Sequence, residues 1–211
     1  ALPIKPREGE ASAAARDFFN GQMAGCEGAS GIMPDKESEG SGKEALLTKK
    51  VDADVRQRCL ELGISHASYY LAAAFLAVGS FCGSRKVYLC TISNGRSDMR
   101  TADTMGMFVN TLALASEIGH GSVDENLKET DRMFSSTLQH EYYPFSQIAA
   151  DYGFQPQVML ADQSGVLTKY TVGGQELKSE NLEIGTPKFP LSIFIDGGED
   201  GGYIALEYDG K

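Results

Sequence analysis

Positive charge is in short supply in this sequence: 19 Lys and Arg stand against 29 Asp and Glu, for a formal net charge of −10. A surface for nucleic acid or anionic membrane needs a local basic patch, and the tightest cluster, Lys49-Lys50, is too small to make one. Long apolar runs are missing as well. The longest, Tyr69 to Val78, is too short to cross a bilayer, and no basic segment with a leader-like stretch behind it opens the chain. Cysteine is sparse and unpatterned, since Cys26, Cys59, Cys82 and Cys90 match neither a zinc-ligand pair nor a Cys-x-x-Cys redox motif. The expectation is a cytoplasmic chain with reduced core cysteines and neither nucleic acid nor membrane among its partners.

The motifs of catalysis are equally scarce. There is no Gly-x-Ser-x-Gly elbow, and Ser164 in Gln163-Ser164-Gly165 has loop context only. Asp52-Ala53-Asp54 lacks further carboxylates at coordinating spacing, so helix capping explains it better than a metal. Gly197 to Gly202 is no phosphate loop, because Glu199 and Asp200 repel phosphate and no helix pattern follows. Only three histidines are present. His66 heads an apolar helix and reads as a packed or capping residue. His140 ends a helix, where an imidazolium meets the negative end of the dipole, a structural role. His120 precedes Ser122-Val123-Asp124-Glu125, whose Ser-x-x-Glu form is a capping box. No residue is assigned a catalytic role and none a metal.

What remains is ample for one core: 211 residues with 42% hydrophobic content. The pattern predicts a single domain over 1–211, with an opening helix and flexible connector over 1–43 and a sheet-and-helix core over 44–211. Ala15, Phe18, Phe19 and Met23 recur at helical intervals between Ser12 and Gly25, and the Gly, Ser, Glu and Asp of 27–42 then mark a mobile loop. Glu44 to Val51 reads as a strand. Asp52 or Asp54 caps a helix carrying Val55, Cys59 and Leu62, which Gly63 stops. The next segment, from Ser65 to Val78, is apolar on nearly every side and belongs between layers.

Lys86 to Ser93 and Met107 to Ala115 read as buried strands, separated by an Asn94-Gly95-Arg96 turn and a polar loop through Thr104. After the capping box, Val123, Leu127, Phe134 and Leu138 mark one face of a long helix, and Pro144 starts a short one that ends by Gly153. Gln157 to Leu160, Leu182 to Ile184, Phe189 to Asp196 and Tyr203 to Tyr208 are strand candidates. The fold class expected is α/β (α+β), a mixed β-sheet with helices packed on it.

Met105-Gly106-Met107-Phe108-Val109-Asn110-Thr111-Leu112 resembles the Gly-x-Phe-Val-Asn-Thr signature of nonribosomal peptide synthetase condensation domains. Further along, His140-Glu141-Tyr142-Tyr143-Pro144-Phe145 is similar to that family's His-Gln-Asp-Tyr-Pro-Phe-Glu motif, in matching order and separation. Leu71 to Phe81 with Val87 to Arg96 resembles its alanine-rich helix, strand and Gly-Arg turn. Ala15-Arg16-Asp17-Phe18-Phe19 resembles the helix that opens the second half of such domains. Some positions depart: Ala115 stands where arginine is common, Glu141, Tyr142 and Ser146 replace Gln, Asp and Glu, and the next motif survives at most as Pro156-Gln157-Val158. The His-His-x-x-x-Asp-Gly motif that the family uses for amide formation does not occur.

The resemblance implies one chloramphenicol-acetyltransferase-like half of a condensation domain, its C-terminal lobe, inactive alone. The parent is an acyltransferase of secondary metabolite biosynthesis that forms a peptide bond between a carrier-bound acyl or aminoacyl thioester and an amine. Implied partners are the N-terminal lobe and the donor and acceptor peptidyl carrier proteins, whose phosphopantetheine arms carry the substrates; no cofactor is bound directly. Arg96 is implied to pair across the seam with the aspartate of the absent motif, against the alternative of a solvated loop arginine. Asn110 either turns its amide toward the tunnel or serves strand packing. Gly106, Phe108, Val109 and Thr111 form the signature, with Phe108 and Val109 expected in the core; Tyr143, Pro144 and Phe145 fix a helix start. The loop from Asp162 to Gln175 stands where the family extends a latch. The competing readings are a docking module for carrier proteins and a small stand-alone acyltransferase using His120 or His140.

Overall fold

The computed structural model describes residues 10–26, 30–32, 44–51, 54–96, 104–119, 121–164, 170–177, 185–197 and 202–209. In chain order these form α1 (Glu10–Gln22), β1 (Glu44–Val51), α2 (Val55–Leu62), α3 (His66–Cys82), β2 (Lys86–Ser93), β3 (Asn110–Glu117), α4 (Val123–Leu138), α5 (Phe145–Tyr152), β4 (Val158–Asp162), β5 (Tyr170–Val172), β6 (Gln175–Leu177), β7 (Leu191–Asp196) and β8 (Gly202–Asp209). Six strands make one sheet in the order β1-β8-β7-β4-β2-β3, and β5 pairs with β6 as a separate hairpin.

Side chains alternate across the sheet, and in its central strands both faces are apolar. Val87 and Leu89 of β2, Leu112 and Leu114 of β3, and Val158 and Leu160 of β4 pack with Leu71, Phe75 and Val78 of α3, Val55 and Cys59 of α2 and Phe134 of α4. Tyr88, Cys90, Ala113, Ala115, Met159 and Ala161 face the other way and meet Ala15, Phe19 and Met23 of α1 and Ile148 of α5. Most residues on this second face are small, which lets Phe19, Phe154 and Tyr143 fill the space above them. Burial pushes the Cys90 thiol up to about 12, so it packs as an inert apolar side chain.

Helix ends carry the caps read from the sequence, with Ser65 added. The Asp54 carboxylate accepts from Gln57 N at 2.9 Å, and Gly63 ends α2 at φ 67°. Ser65 Oγ accepts from Ser68 N, so α3 starts at His66 and runs through Cys82. Ser122 and Glu125 form both bonds of the capping box. Among the described residues no single helix is long and apolar enough to cross a membrane; α2 and α3 pass by length and composition together, bent by 102°. Most of α3 is core.

Pairing of β2 with β4 and of β4 with β7 is parallel, and all other pairings are antiparallel. The carboxyl ends of β2, β4 and β7 therefore gather at one end of the sheet, beside the first residues of β3 and β8. After β2 the chain turns outward to β3, and after β4 it moves the other way to β7. The crevice between these two exits is a topological switch point, where ligands collect in open sheets.

Several elements differ from the expectation. Pairing of β3 starts at Asn110, opposite Ser93, because β2 ends there; Met107, Phe108 and Val109 precede the strand. Val123, expected on the packed face of α4, is 68% exposed. The segment after β4 holds the β5–β6 hairpin, turned by Gly173 and Gly174 at φ 60° and 80°, the two-residue turn that two positive φ angles allow. The strands expected near Gln157 and Phe189 begin at Val158 and Leu191. Residues 27–29, 33–43, His120, Leu182 to Ile184 and 198–201, on which other expectations fall, lie outside the described residues.

At Gly79 α3 packs with no room for a side chain. A Cβ there would stand 2.1 Å from Ile118 Cδ1 and 2.9 Å from both Ser84 O and Val87 Cγ2. Gly79→Ala is therefore expected to lower unfolding stability by about 1–3 kcal/mol through overpacking, despite its better helix propensity. Urea denaturation checks this, and an unchanged midpoint contradicts the packing described.

Candidate functional site at the carboxyl end of the sheet

The turn after β2 is built around one glycine. Gly95 adopts φ 64°, and a Cβ on it would lie 2.0 Å from the carbonyl oxygen of Phe108. Only glycine allows this approach. Asn94 Oδ1 accepts from Arg96 N at 3.0 Å, and Ser93 Oγ accepts from Gly95 N at 3.1 Å. Arg96 then lies along 104–109: Nη1 donates to Thr104 O at 2.8 Å, Nη2 donates to Gly106 O at 3.2 Å, and the guanidinium stands 4.6 Å from the Phe108 ring centroid. Two carbonyls and a ring face hold the cation in one orientation.

This placement corrects the core position expected for Phe108 and Val109. The half-buried Phe108 ring is the platform for Arg96, and Val109 is 54% exposed, with Met105 and Met107 more so. With β2 ending at Ser93, these residues have no strand to pair with and become an apolar surface beside Arg96. Gly106 is exposed too, and a Cβ on it would meet Phe108 Cε2 at 3.1 Å.

Asn110 binds the second motif. Its Nδ2 donates to the backbone carbonyl of Glu141, while Ser93, its cross-strand partner, donates from Oγ to the Glu141 carboxylate. The strand start that closes one motif is thus tied to the turn that opens the other. Thr111 sits beside Asn110, half-buried and opposite Ile92. Beyond Glu141, Tyr143 is buried and stacked on Phe19 with centroids 5.5 Å apart. Pro144 takes the N-cap of α5, and Phe145 meets Phe154 edge-on at 6.0 Å.

The described histidines divide sharply. His140 is packed at 4.5 Å against Phe18, and its buried Nδ1 has no hydrogen-bond partner. Burial holds its pKa below the ordinary histidine value, so it packs in neutral form, in place of the imidazolium expected at the helix end. His66 faces the carboxyl end of the sheet. Its Nδ1 is 3.0 Å from Asp162 Oδ2 and 3.3 Å from Ser164 Oγ. Nothing local in the sequence announces this cluster, because Asp162 and Ser164 lie 96 and 98 residues from His66 and meet it only where the start of α3 packs on the end of β4.

For His140, a depressed folded-state pKa means that the unfolded chain binds more protons as pH falls through its ordinary value near ~6.5. Stability is thus lost on acidification through that range, over and above the loss from carboxylates. His140→Phe keeps the stack on Phe18 and removes the unpaired nitrogen. The variant is expected to lose less stability than the wild type between pH 7.5 and pH 5.5 in paired denaturation curves. Equal losses contradict a buried neutral imidazole.

Residues 8–203 match the family model described as Condensation domain. Surfactin synthase subunit 1 of Bacillus subtilis (strain 168) is 26% identical over 175 residues, which are 77% of this chain and 5% of that protein. The condensation domain from the monacolin K polyketide synthase superposes with a TM-score of 0.76 at 15% identity, covering 94% of this chain and 52% of the other. The first condensation domain of the calcium-dependent antibiotic synthetase gives 0.75 at 15% identity, covering 97% and 46%. The chain thus spans a small part of its curated relative and about half of each solved domain. With the matched region running from α1 into β8, and with both motifs joined at Asn110 and Glu141, the chain belongs to the condensation domain family.

Proposed function

We propose that this chain is the carboxy-terminal lobe of a condensation domain in a nonribosomal peptide synthetase, forming one wall of a thioester-handling cleft and supplying no proton-transfer group of its own. The observation that carries this reading is the family match over residues 8–203 in a sequence without His-His-x-x-x-Asp-Gly. Coverage of about half of each solved neighbour is consistent with it. On this reading 1–211 is one lobe, with α1 and the connector of 1–43 leading into the sheet-and-helix core of 44–211.

In the parent, the amine nitrogen of a carrier-bound acceptor attacks the donor thioester carbonyl. The C–N bond forms, the C–S bond breaks, and the proton leaving nitrogen ends on the released phosphopantetheine thiol. That proton is moved by the histidine motif of the N-terminal lobe. The part of this chain is geometric. Arg96, already fixed by Thr104, Gly106 and Phe108, offers a planar fork to the aspartate of that motif across the seam. The apolar strip of Met105, Met107 and Val109 beside it is covered by the same lobe. The β5–β6 hairpin, which pairs with no strand of the main sheet, reaches over as the latch. Asn110 acts through Glu141, holding the Arg96 loop and the α4–α5 turn in register. Donor and acceptor carrier proteins bring the phosphopantetheine arms, and the assembly works in the cytoplasm.

The test is reconstitution. The chain alone, mixed with donor-loaded and acceptor-loaded carrier proteins, is expected to yield no amide product, and adding an N-terminal lobe that carries the motif restores it. Arg96→Ala in the reconstituted pair should slow product formation about tenfold or more, the worth of a charge-assisted hydrogen bond. Turnover by the chain alone that vanishes in His140→Ala or His120→Ala points instead to a stand-alone acyltransferase. Carrier capture without amide formation after reconstitution points to a docking module.

A further inference from the structure

The three-residue cluster at the start of α3 is a second polar feature at the carboxyl end of the sheet. Asp162 is the last residue of β4. One of its oxygens accepts from Ser164 N at 2.9 Å, and the other faces His66 Nδ1 at 3.0 Å. Burial opposes ionisation of this carboxyl, but the hydrogen bonds from His66 and Ser164 outweigh it and hold the group below the usual carboxylate range. Facing the Asp162 carboxylate, Nδ1 is the nitrogen that donates, so the nitrogen left to accept from a ligand is Nε2.

Two further contacts fix the ring. Tyr70 meets it edge-on at 4.9 Å. Gly197 lies so close that a Cβ there would stand 2.6 Å from Cε1 and 2.9 Å from Nε2 of His66. Ser164 Oγ accepts from Gly197 N at 2.8 Å and sits beside Nδ1, the nitrogen already given to Asp162. A serine nucleophile would need the other ring nitrogen, so the cluster is not a Ser-His-Asp hydrolase site. Among the described residues Nε2 has no partner, and the His66 side chain keeps 29% of its surface, enough for a ligand to reach it.

We propose that His66, oriented by Asp162, binds a primary ammonium group at the carboxyl end of β4, beside Gly197. An N–H donor is what Nε2 can accept, and the carboxylate behind the ring adds negative potential that favours a cation and repels carboxylate, phosphate or thiolate. The inference deepens the proposed function by giving the acceptor amine a reader on this lobe. It rests on that reading for the identity of the ligand's carrier, not for the existence of the site.

The experiment uses the 211-residue chain with two thioethers of N-acetylcysteamine, one ending in a 2-aminoethyl group and one in an ethyl group. Imidazole nitrogen signals, resolvable with three histidines, report binding. The aminoethyl probe should shift the His66 Nε2 signal and the ethyl probe should not. His66→Asn separates ligand binding from structure, because asparagine Nδ2 takes the place of Nδ1 against Asp162 while Nε2 is lost. That variant should keep the wild-type melting temperature and bind the aminoethyl probe at least tenfold more weakly. An unshifted His66 signal, equal binding of both probes, or His66→Asn binding like the wild type each overturns the proposal. None of these outcomes bears on the reconstitution with an N-terminal lobe, so the two readings fail separately.

Discussion

The sheet is held in one piece by a short parallel joint. Between β2 and β4, Cys90 pairs with Met159 and Thr91 with Leu160, and the buried Thr91 hydroxyl adds a bond to the Leu160 carbonyl at 2.7 Å. On one side stand β1, β8, β7 and β4, on the other β2 and β3. Helix α3 lies across the joint and buries Leu71, Phe75 and Val78 against both halves. Because the pairing is parallel, the chain leaves both strands at the same end, and there every polar group of functional interest stands. A slip of one residue at this joint would turn Leu160 away from α3 and carry Asp162 from His66.

Two polar ties then organise that end. Asn110 and Ser93 both bind Glu141, which couples the β2–β3 pair to the turn between α4 and α5. Arg96 is gripped by the segment just before Asn110, so the same tie limits where the guanidinium can stand. The two family motifs are therefore one mechanical unit, although 31 residues separate Asn110 from Glu141. A glutamate in place of the usual glutamine still serves this turn, because its carboxylate takes the Ser93 hydroxyl while its backbone carbonyl takes the Asn110 amide.

Local chemistry made much of this legible. Asp54 and Ser122 cap helices where the sequence places them, and the apolar run of β2 marks a strand buried on both faces. The motif around Phe108 identifies the family but misleads about the strand: Phe108 and Val109 have high β-propensity, yet pairing stops at Asn110 because Gly95 turns β2 away. The β5–β6 hairpin had a readable signal, Gly173-Gly174 between short β-prone runs. The His66 cluster had none. Its members meet only where the start of α3 packs on the end of β4, and no spacing rule spans the two.

The central claim is that Arg96 completes a cleft whose other wall lies on a second lobe. A crystal structure of the two-lobe parent domain tests it most directly. The account predicts the Arg96 guanidinium within ~3 Å of the carboxylate of the His-His-x-x-x-Asp-Gly aspartate, with Met105, Met107 and Val109 buried at the seam. Arg96 turned to solvent, with the lobes meeting through another surface of this sheet, would contradict it.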